Sequence, residues 1–572
     1  MKKFYVLLIL VTVAFAVNTR VQTVLTQDND NHTNIGTTLN DQPSIVNTSP
    51  IDFMPLIGRT EIIGHTSFDI WYNGPTYTDC RVDPVANGIH CHWMYSMFAP
   101  GTDRNERYNF YDFATRTWLD AEGFNAFASR SGFGGMDFDP ITGCAVVSTH
   151  QTISSVITPV AARDQAPGAG LFEYSISPAG WQWPAVAVTN NQAIHFAEML
   201  AGTYDLLYTR CQPWGTWTTP LVMQTTPATF PDHNIAASKT SNKVIIMWVN
   251  SNDTISVRGF YKLSTDGGNT WGAETQIPFP PSTIAGAGFY ITSLFAMFDN
   301  SDNLHIVADI SNGSLIFPAE IWHYCPTNPQ PWTLIHHCEP DSIAAGIGSN
   351  ALMACRPTIV QASGTNGNFY VAWEEFDPLN TEPTTSQLRA EVWVAELTNN
   401  GQTVTRKGRI TDLNTTSKRY PCLGGVMNDT VFVRYLMDSI AGFYSAATPV
   451  GAGTWNPVIL HRFHKNSLPQ AIEEENPGSH YLFSLSTATP NPFNFNTRIS
   501  YSLPTASNVD LTIYDILGRP VKTLASGTKT VGTYTATWDG RTNSGEKAQA
   551  GIYFYTLTTP DRSISRKLIR TY

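Results

Sequence analysis

Between residues 87 and 455 the chain repeats one pattern: an alternating apolar strand, a second strand, then a turn that ends on tryptophan. "NGIHCHWMYSMFAP" leads through "NFYDFATRTW" to Trp118. "GGMDFDPITGCAVVST" leads through "LFEYSISPAGWQW" to Trp183, and "QAIHFAEML" through "YDLLYTRCQPWGTW" to Trp217. "NKVIIMWVN" and "RGFYKLSTDGGNTW" end at Trp271, and "DNLHIVADI" and "AEIWHYCPTNPQPW" at Trp332. "GNFYVAWEEF" and "AEVWVAELTNNGQTV" reach Val404 where the others have tryptophan, and "NDTVFVRYLM" and "AGFYSAATPVGAGTW" end at Trp455. A strand group of this size cannot bury both of its faces alone. Recurring at intervals of about 35 to 70 residues, such groups bury one another by stacking, and a closed circle protects the sheet edges.

The pattern therefore predicts an all-β chain whose main body is a β-propeller of about seven blades, the uneven spacing leaving six or eight open. The stretch "GRTEIIGHTSFDIWYNG", residues 58–74, is placed to pair with the last unit and close the ring. Composition agrees. Asp, Glu, Lys and Arg make up 14% of residues against roughly 25% in a typical soluble protein, and there are 15 Trp, 23 Tyr and 29 Phe. Helical periodicity is nearly absent, with 41 Gly and 36 Pro punctuating the chain. A net charge of -11 without any basic block argues against nucleic acid as a partner, because phosphate neutralisation needs clustered Lys and Arg.

The turn before Trp271 reads Ser264-Thr265-Asp266-Gly267-Gly268-Asn269-Thr270-Trp271. Gly267 and Gly268 supply positive φ for a tight turn, Asp266 is suited to accept hydrogen bonds from amides within it, and Trp271 can wedge between layers. The spacing of Ser264, Asp266, Gly268 and Trp271 resembles the Asp-box (BNR repeat) of sialidases, where such boxes are peripheral; the resemblance implies sialidase-like propeller geometry rather than activity. Sialidase chemistry requires three arginines on one carboxylate, a Tyr nucleophile supported by a carboxylate, and an Asp acid/base. The nearest look-alike of the family's first arginine stretch is "CRPTIV", Cys355–Val360, which lacks the family's aromatic and Ile and also reads as a blade opening, so no catalytic residue carries over. Three arginines converging near a Tyr–Glu pair on the central face would mark the enzyme.

Other candidates for chemistry are weaker. "AWEEFDP" places Glu374 and Glu375 on opposite strand faces, so only one can face a central cleft; the alternative is a solvated strand end. "MDFDPITG", with Asp137 and Asp139, reads as a turn. "FDNSDN", Phe298–Asn303, lacks the spacing and distal Glu of an EF-hand and reads as a polar loop. His90 with His92, and His336 with His337, do not have metal spacing. "GWQWP" (180–184) and "QPWGTW" raise the idea of a sugar platform against the simpler one of blade packing. No catalytic, cofactor or metal residue is assigned, and no cofactor is expected.

The ends carry an itinerary. Lys2 and Lys3, the apolar run Phe4–Val13 and Ala14-Phe15-Ala16 read as a signal peptide over 1–16. Residues 17–50 read as a flexible polar leader, 51–460 as the propeller, 461–483 as a linker and 484–572 as a small Ig-like β-sandwich. No later segment is apolar for long enough to be a transmembrane helix. Export permits disulfides among the eight cysteines, with Cys80–Cys91 and Cys325–Cys338 the nearest pairs, although buried free thiols are the alternative.

Within the last block, "TRISYSL" and "VDLTIYDI" alternate as half-buried strands do. Its motifs are Pro490-Asn491-Pro492-Phe493-Asn494, then Ile513-Tyr514-Asp515 with Leu517-Gly518-Arg519, then Trp538-Asp539-Gly540, then Gly551-Ile552-Tyr553-Phe554-Tyr555. In this order, followed by the basic end "SRKLIRTY", they resemble the type A C-terminal sorting domain of type IX secretion, a fold related to the Ig-like domain of flagellar hook-capping proteins. Asn494-Phe495-Asn496 departs from the family's frequent Asn-Pro-Ser. The resemblance implies type IX secretion machinery as a partner, passage across the outer membrane, and a secreted or cell-surface protein whose sorting domain is removed or retained. For the propeller, the reading is non-enzymatic binding of a glycan or protein; the alternative is a sialidase-like glycoside hydrolase.

Overall fold

The computed structural model describes residues 56–571 except 72–76, 99–100, 179–180, 201–202, 204, 226–231, 251–256, 283, 285–288, 313–315, 341–342, 344, 348–350, 363–367, 445–449, 472–483, 486–487, 489, 504–506, 531 and 561–562. The expected signal peptide and leader lie outside the described residues.

Among the described residues seven antiparallel sheets form the main body. Their innermost strands are, in chain order, Cys80–Asp83, Met136–Phe138, Trp181–Val188, His233–Ala237, Phe289–Phe298, Ala354–Gln361 and Ser417–Met427, which number the blades 1 to 7. Each innermost strand packs against the next, and that of blade 7 packs against that of blade 1, so the sheets close into a ring. Blade 6 shows the ordinary plan: Ala354–Gln361, Phe369–Glu382, Gln387–Thr398 and Thr403–Arg409 follow one another outward as hairpins. Blade 7 takes its outermost strand from the other end of the chain. Arg59–Thr66 pairs antiparallel with Asn456–His464, as the position of residues 58–74 suggested. This joint ties the first and last strands of the ring together and leaves no open seam.

Stacking explains why alternation along the strands is blurred. The second strand of blade 1, Gly88–Tyr95, is buried at all its residues because both of its faces meet neighbouring blades. The recurring tryptophans have a shared task in blades 1, 3, 4 and 5. Trp118 lies 5.1 Å from Tyr111, Trp217 4.8 Å from Phe196, Trp271 4.8 Å from Tyr208 and Trp332 4.8 Å from Tyr324, each ring covering an aromatic residue of its own or the preceding blade. In blade 6 Val404 takes this place in the outermost strand. Two tryptophans depart from the pattern. Trp183 belongs to the innermost strand of blade 3, and Trp455 precedes the third strand of blade 7, where it is 46% exposed and stacks on His65. The repeat therefore has a looser architectural constant than a tryptophan in every unit.

The boundary expected at residue 460 falls inside blade 7: its third strand runs to His464, and Leu468 is buried in the core shared by blades 6 and 7. All eight cysteines are buried and unpaired. Cys80 and Cys91 face each other across neighbouring strands with sulfurs 3.6 Å apart. Cys338 lies opposite Ala319, whereas Cys325 sits at the other end of that hairpin, so the second expected pair is not brought together.

Residues 484–571 form a sandwich. One sheet contains Ser484–Leu485, Thr497–Leu503 and Gly532–Trp538; the other contains Pro520–Lys529, Ser507–Asp515, Gly551–Thr558 and Ser563–Arg570. Ile499, Leu511, Ile513, Trp538, Tyr555, Leu557 and Leu568 fill the space between them. Among the described residues no helix is long and apolar enough to cross a membrane.

Candidate functional site

The innermost strands all begin at one mouth of the ring, and that mouth is where unusual backbone gathers. In blades 3, 6 and 7 the innermost strand carries the same device near its start: a residue with positive φ followed by proline. These are Trp183-Pro184 (φ 54°), Arg356-Pro357 (55°) and Tyr420-Pro421 (57°), each inside a break of the ladder register. Proline denies its predecessor the right-handed helical region and offers no N–H to the ladder, so the strand bulges. A bulge re-aims side chains, and left-handed backbone at a non-glycine residue costs of order 1 kcal/mol or more, so three such positions around one mouth mark a place where direction matters.

Two of the re-aimed residues build a buried charge network. Glu374, on the second strand of blade 6, is fully buried. It is held by the Arg356 guanidinium, by Arg419 (Nε–Oε2 3.1 Å, Nη2–Oε1 3.3 Å) and by the Tyr420 N–H at 2.7 Å. Burial alone would raise its carboxyl, but Arg419 and Arg356 outweigh it and hold the group at about 2. Arg434 pairs with Asp79, donates to the Tyr420 carbonyl at 3.5 Å and lies 4.4 Å over the Trp71 ring. The Arg356 and Arg419 guanidiniums also lie 5.3 and 4.8 Å from the Tyr420 ring.

The network extends to both sides. His92 sits between Asp79 (3.2 Å) and Glu106 (2.9 Å). Burial opposes a charge on its ring, yet Glu106 and Asp79 prevail and carry it to about 9, so it is imidazolium at neutral pH. On the other side, burial raises Asp69 to about 7 and Asp438 to about 8, with Asp69 adding to the effect on Asp438. Asp69 accepts the Tyr444 N–H at 2.9 Å, and its carbonyl accepts the Tyr420 hydroxyl at 3.0 Å.

Three arginines thus surround Tyr420 beside Glu374, the constellation expected of a sialidase-like enzyme, and Arg356 is the arginine of "CRPTIV". Its chemistry differs from that expectation. Glu374 pairs with Arg356 and Arg419, Asp79 pairs with Arg434, and Arg356, Arg419, Arg434 and Tyr420 are all buried. A guanidinium already paired in a dry site gains little by exchanging one carboxylate for another. The collar is built to be satisfied from within.

Beside it the same mouth has an open part. Arg104 packs against Phe133 (4.5 Å to the ring centroid) and Phe68 (5.7 Å), two rings that meet edge to face, and Phe133 stacks on His150 with centroids 5.9 Å apart. Phe68, Phe133 and His150 are half-buried and Arg130 is exposed. Tyr77 donates to the Phe133 carbonyl at 3.2 Å and ties this surface to the ring axis. At the opposite mouth a cavity of about 390 Å³ is lined mainly by Val82, Val186, Ile235, Met297, Ile359 and Val426, one from each of six blades; Asp137 reaches it too, paired with Lys239 at 2.6 Å.

The other motifs take structural places. Glu374 and Glu375 do point to opposite sides, but neither is a solvated strand end: Glu375 meets His336 at 2.7 Å and the Trp373 indole at 3.3 Å. Asp139 and Asp299 cap turns by accepting from Ile141 and Asn303 N–H groups. Trp181 and Trp183 of "GWQWP" are buried and offer no platform. Among the described residues no cluster of metal-ligating side chains occurs.

In the Ser264–Trp271 turn, Asp266 accepts from the Asn269 and Thr270 amides and the Thr270 hydroxyl, which bring its carboxyl down to about 2, while the Ser264 hydroxyl receives the Gly268 N–H at 2.8 Å. The turn joins the outer strands Arg258–Ser264 and Thr275–Gln276 of blade 4, away from the axis.

The sandwich motifs are likewise a packing set. Asn491 bonds the Lys567 carbonyl and the Ile569 N–H of the last strand, and Phe493 packs on Trp538 at 5.3 Å. Asp515 caps the turn at Gly518 and pairs with Arg519 at 2.7 Å. Trp538 donates to the Arg541 carbonyl and meets Tyr553 at 5.1 Å. Gly540, at φ 71°, lies against Arg570.

The sequence model of the FlgD Ig-like domain family matches residues 494–563. No curated protein matches the chain. Among solved structures, a polysaccharide lyase described as PL25 ulvan lyase is 9% identical, with 71% of this chain and 96% of that one covered at a TM-score of 0.47. The polysaccharide lyase Uly1 is 11% identical over 68% and 90% with a TM-score of 0.40. The NanB sialidase of Streptococcus pneumoniae is 11% identical over 71% of each chain with a TM-score of 0.37.

Proposed function

We propose that the chain is an exported β-propeller that binds glycan without cleaving it, at the mouth where the innermost strands begin. The sandwich from residue 484 serves as a type IX sorting domain, behind a signal peptide at 1–16 and a leader at 17–50. The observation that carries the binding reading is the contrast within one mouth. The collar around Glu374 is buried, with its arginines paired to Glu374 and Asp79, whereas beside it Phe68 and Phe133 are half-buried, Arg130 is exposed and Arg104 packs against both rings. Ring faces stack on the apolar faces of sugars, and guanidiniums donate to their oxygens. A glycan array with the purified chain tests this; binding that survives Glu374→Gln but falls with Phe133→Ala is expected, and an array without any bound glycan refutes it. Export is tested by removing residues 484–572 in the native cell, which should leave the chain on the inner side of the outer membrane.

A hydrolase is the second reading, favoured by the three arginines around Tyr420 and by the raised carboxyls of Asp69 and Asp438. Turnover of fluorogenic glycosides that disappears in Tyr420→Phe or Asp69→Asn would establish it in place of the first.

A further inference from the structure

We infer that Arg104, Arg130 and His150 form an anion site, selecting glycans that carry a carboxylate or sulfate group over neutral ones. This rests on the glycan-binding reading above and specifies its ligand.

Arg104 is held by its stem and its plane rather than by a counter-charge. Its Nε donates to the Ser131 carbonyl at 2.9 Å, and its guanidinium packs against the rings of Phe133 and Phe68, which meet edge to face. The residue is 92% buried in this clamp, being 8% exposed, yet among the described residues its two terminal nitrogens have no hydrogen-bond or ion-pair partner. A guanidinium so fixed has lost its side-chain freedom before any ligand arrives, and its planar fork is the group that meets a carboxylate or sulfate with paired hydrogen bonds. The nearby acid, Glu106, is committed to His92 and to the Gly134 N–H at 3.1 Å.

Two neighbours add to the field. Arg130 is exposed, forms no ion pair among the described residues, and lies close enough that burial and then Arg130 lower the Arg104 guanidinium to about 10. The same two arginines, after burial, hold His150 neutral at about 3. Its Nδ1 accepts the Trp183 backbone N–H at 3.3 Å, so the ring proton is on Nε2, which leaves the imidazole one N–H to donate. The charges of Arg104 and Arg130 repel each other. An anion bound beside them offsets that repulsion, which a neutral sugar hydroxyl does not do.

The test is calorimetric titration of the purified full chain with three probes: oligogalacturonate for the carboxylate, sulfated galactan oligosaccharides for the sulfate, and a desulfated galactan of the same length as the neutral control. One or both acidic probes should bind about tenfold or more tightly than the control, and weaken as salt rises. Which of them does so names the anion. Arg104→Gln should cost at least about tenfold and Arg130→Gln about threefold for the acidic probe, and in each case less for the neutral control. Because Arg104 is part of a packed stack, the exposed Arg130→Glu is the decisive variant and must weaken acidic binding further. Equal affinity for acidic and neutral probes overturns the inference and leaves the glycan reading intact, as does acidic binding indifferent to Arg130→Glu. Binding of none of the three overturns the inference, while the array decides the wider reading.

Discussion

Replacing Glu374 by Gln separates a structural collar from a working one. Glu374 is fully buried, shared by two guanidiniums and one amide, and its carboxyl lies at about 2 against the 4.5 of an ordinary glutamate. At about 1.4 kcal/mol per pH unit this amounts to roughly 3 kcal/mol of stability at neutral pH, within the range of about 3–5 kcal/mol for breaking a buried pair and leaving its cation uncompensated. The sign follows from a depressed carboxyl: the contribution is complete above about pH 4.5 and is lost as pH falls through about 2, with less than half remaining by about pH 3. Urea unfolding of both proteins followed by tryptophan fluorescence, with a shared slope, should give a difference of about 3 kcal/mol at pH 7 that narrows on acidification. Glycan binding by the folded variant should persist. A difference below about 1 kcal/mol at pH 7, or one that does not narrow in acid, would refute the account, since it would mean that the two arginines are solvated and free to receive a substrate.

Three further outcomes are expected. Gly268→Ala should destabilise blade 4 by about 2 kcal/mol or more without altering glycan binding by folded protein, because Gly268 has φ 78° and a Cβ there would overlap the Tyr208 hydroxyl; equal unfolding midpoints for variant and parent would contradict this. His92→Gln should remove a pH dependence from the parent: with the ring held at about 9, its stabilisation is complete below about 6.5 and lost as pH rises through 9, so unfolding midpoints of parent and variant should converge between those values. Trp538→Ala, emptying the centre of the sandwich, should cost about 3–5 kcal/mol there and trap the chain inside the outer membrane, as measured by limited proteolysis and by fractionation; normal export of a protease-sensitive sandwich would break the proposed link between its fold and sorting.

How much of this is legible in the sequence depends on the range of the interaction concerned. Strand groups, hairpin turns and the closing strand at 58–74 are written locally, in alternation, Gly-rich turns and recurring aromatics, and the seven sheets follow them. The Ser264–Trp271 turn is readable for the same reason: every hydrogen bond of Asp266 stays within its own turn. The collar is the opposite case. Asp79 and Arg434 are 355 residues apart in the chain, and Glu374 meets Arg419 from a different blade, so no window of sequence contains either pair. A local trace of it does exist. "WPAVAV", "RPTIV" and "YPCLGG" each put a proline after the side chain that the ring needs to turn, and only the second stands out by itself, as a distorted arginine motif. Taken together, the three X-Pro steps mark the mouth in the amino-acid sequence, since a proline inside an innermost strand is tolerated only where the ladder is meant to break. The chemistry at that mouth lies beyond such a reading: whether an arginine is spent on a glutamate, as Arg419 is, or packed against aromatic rings, as Arg104 is, depends on what the ring brings beside it.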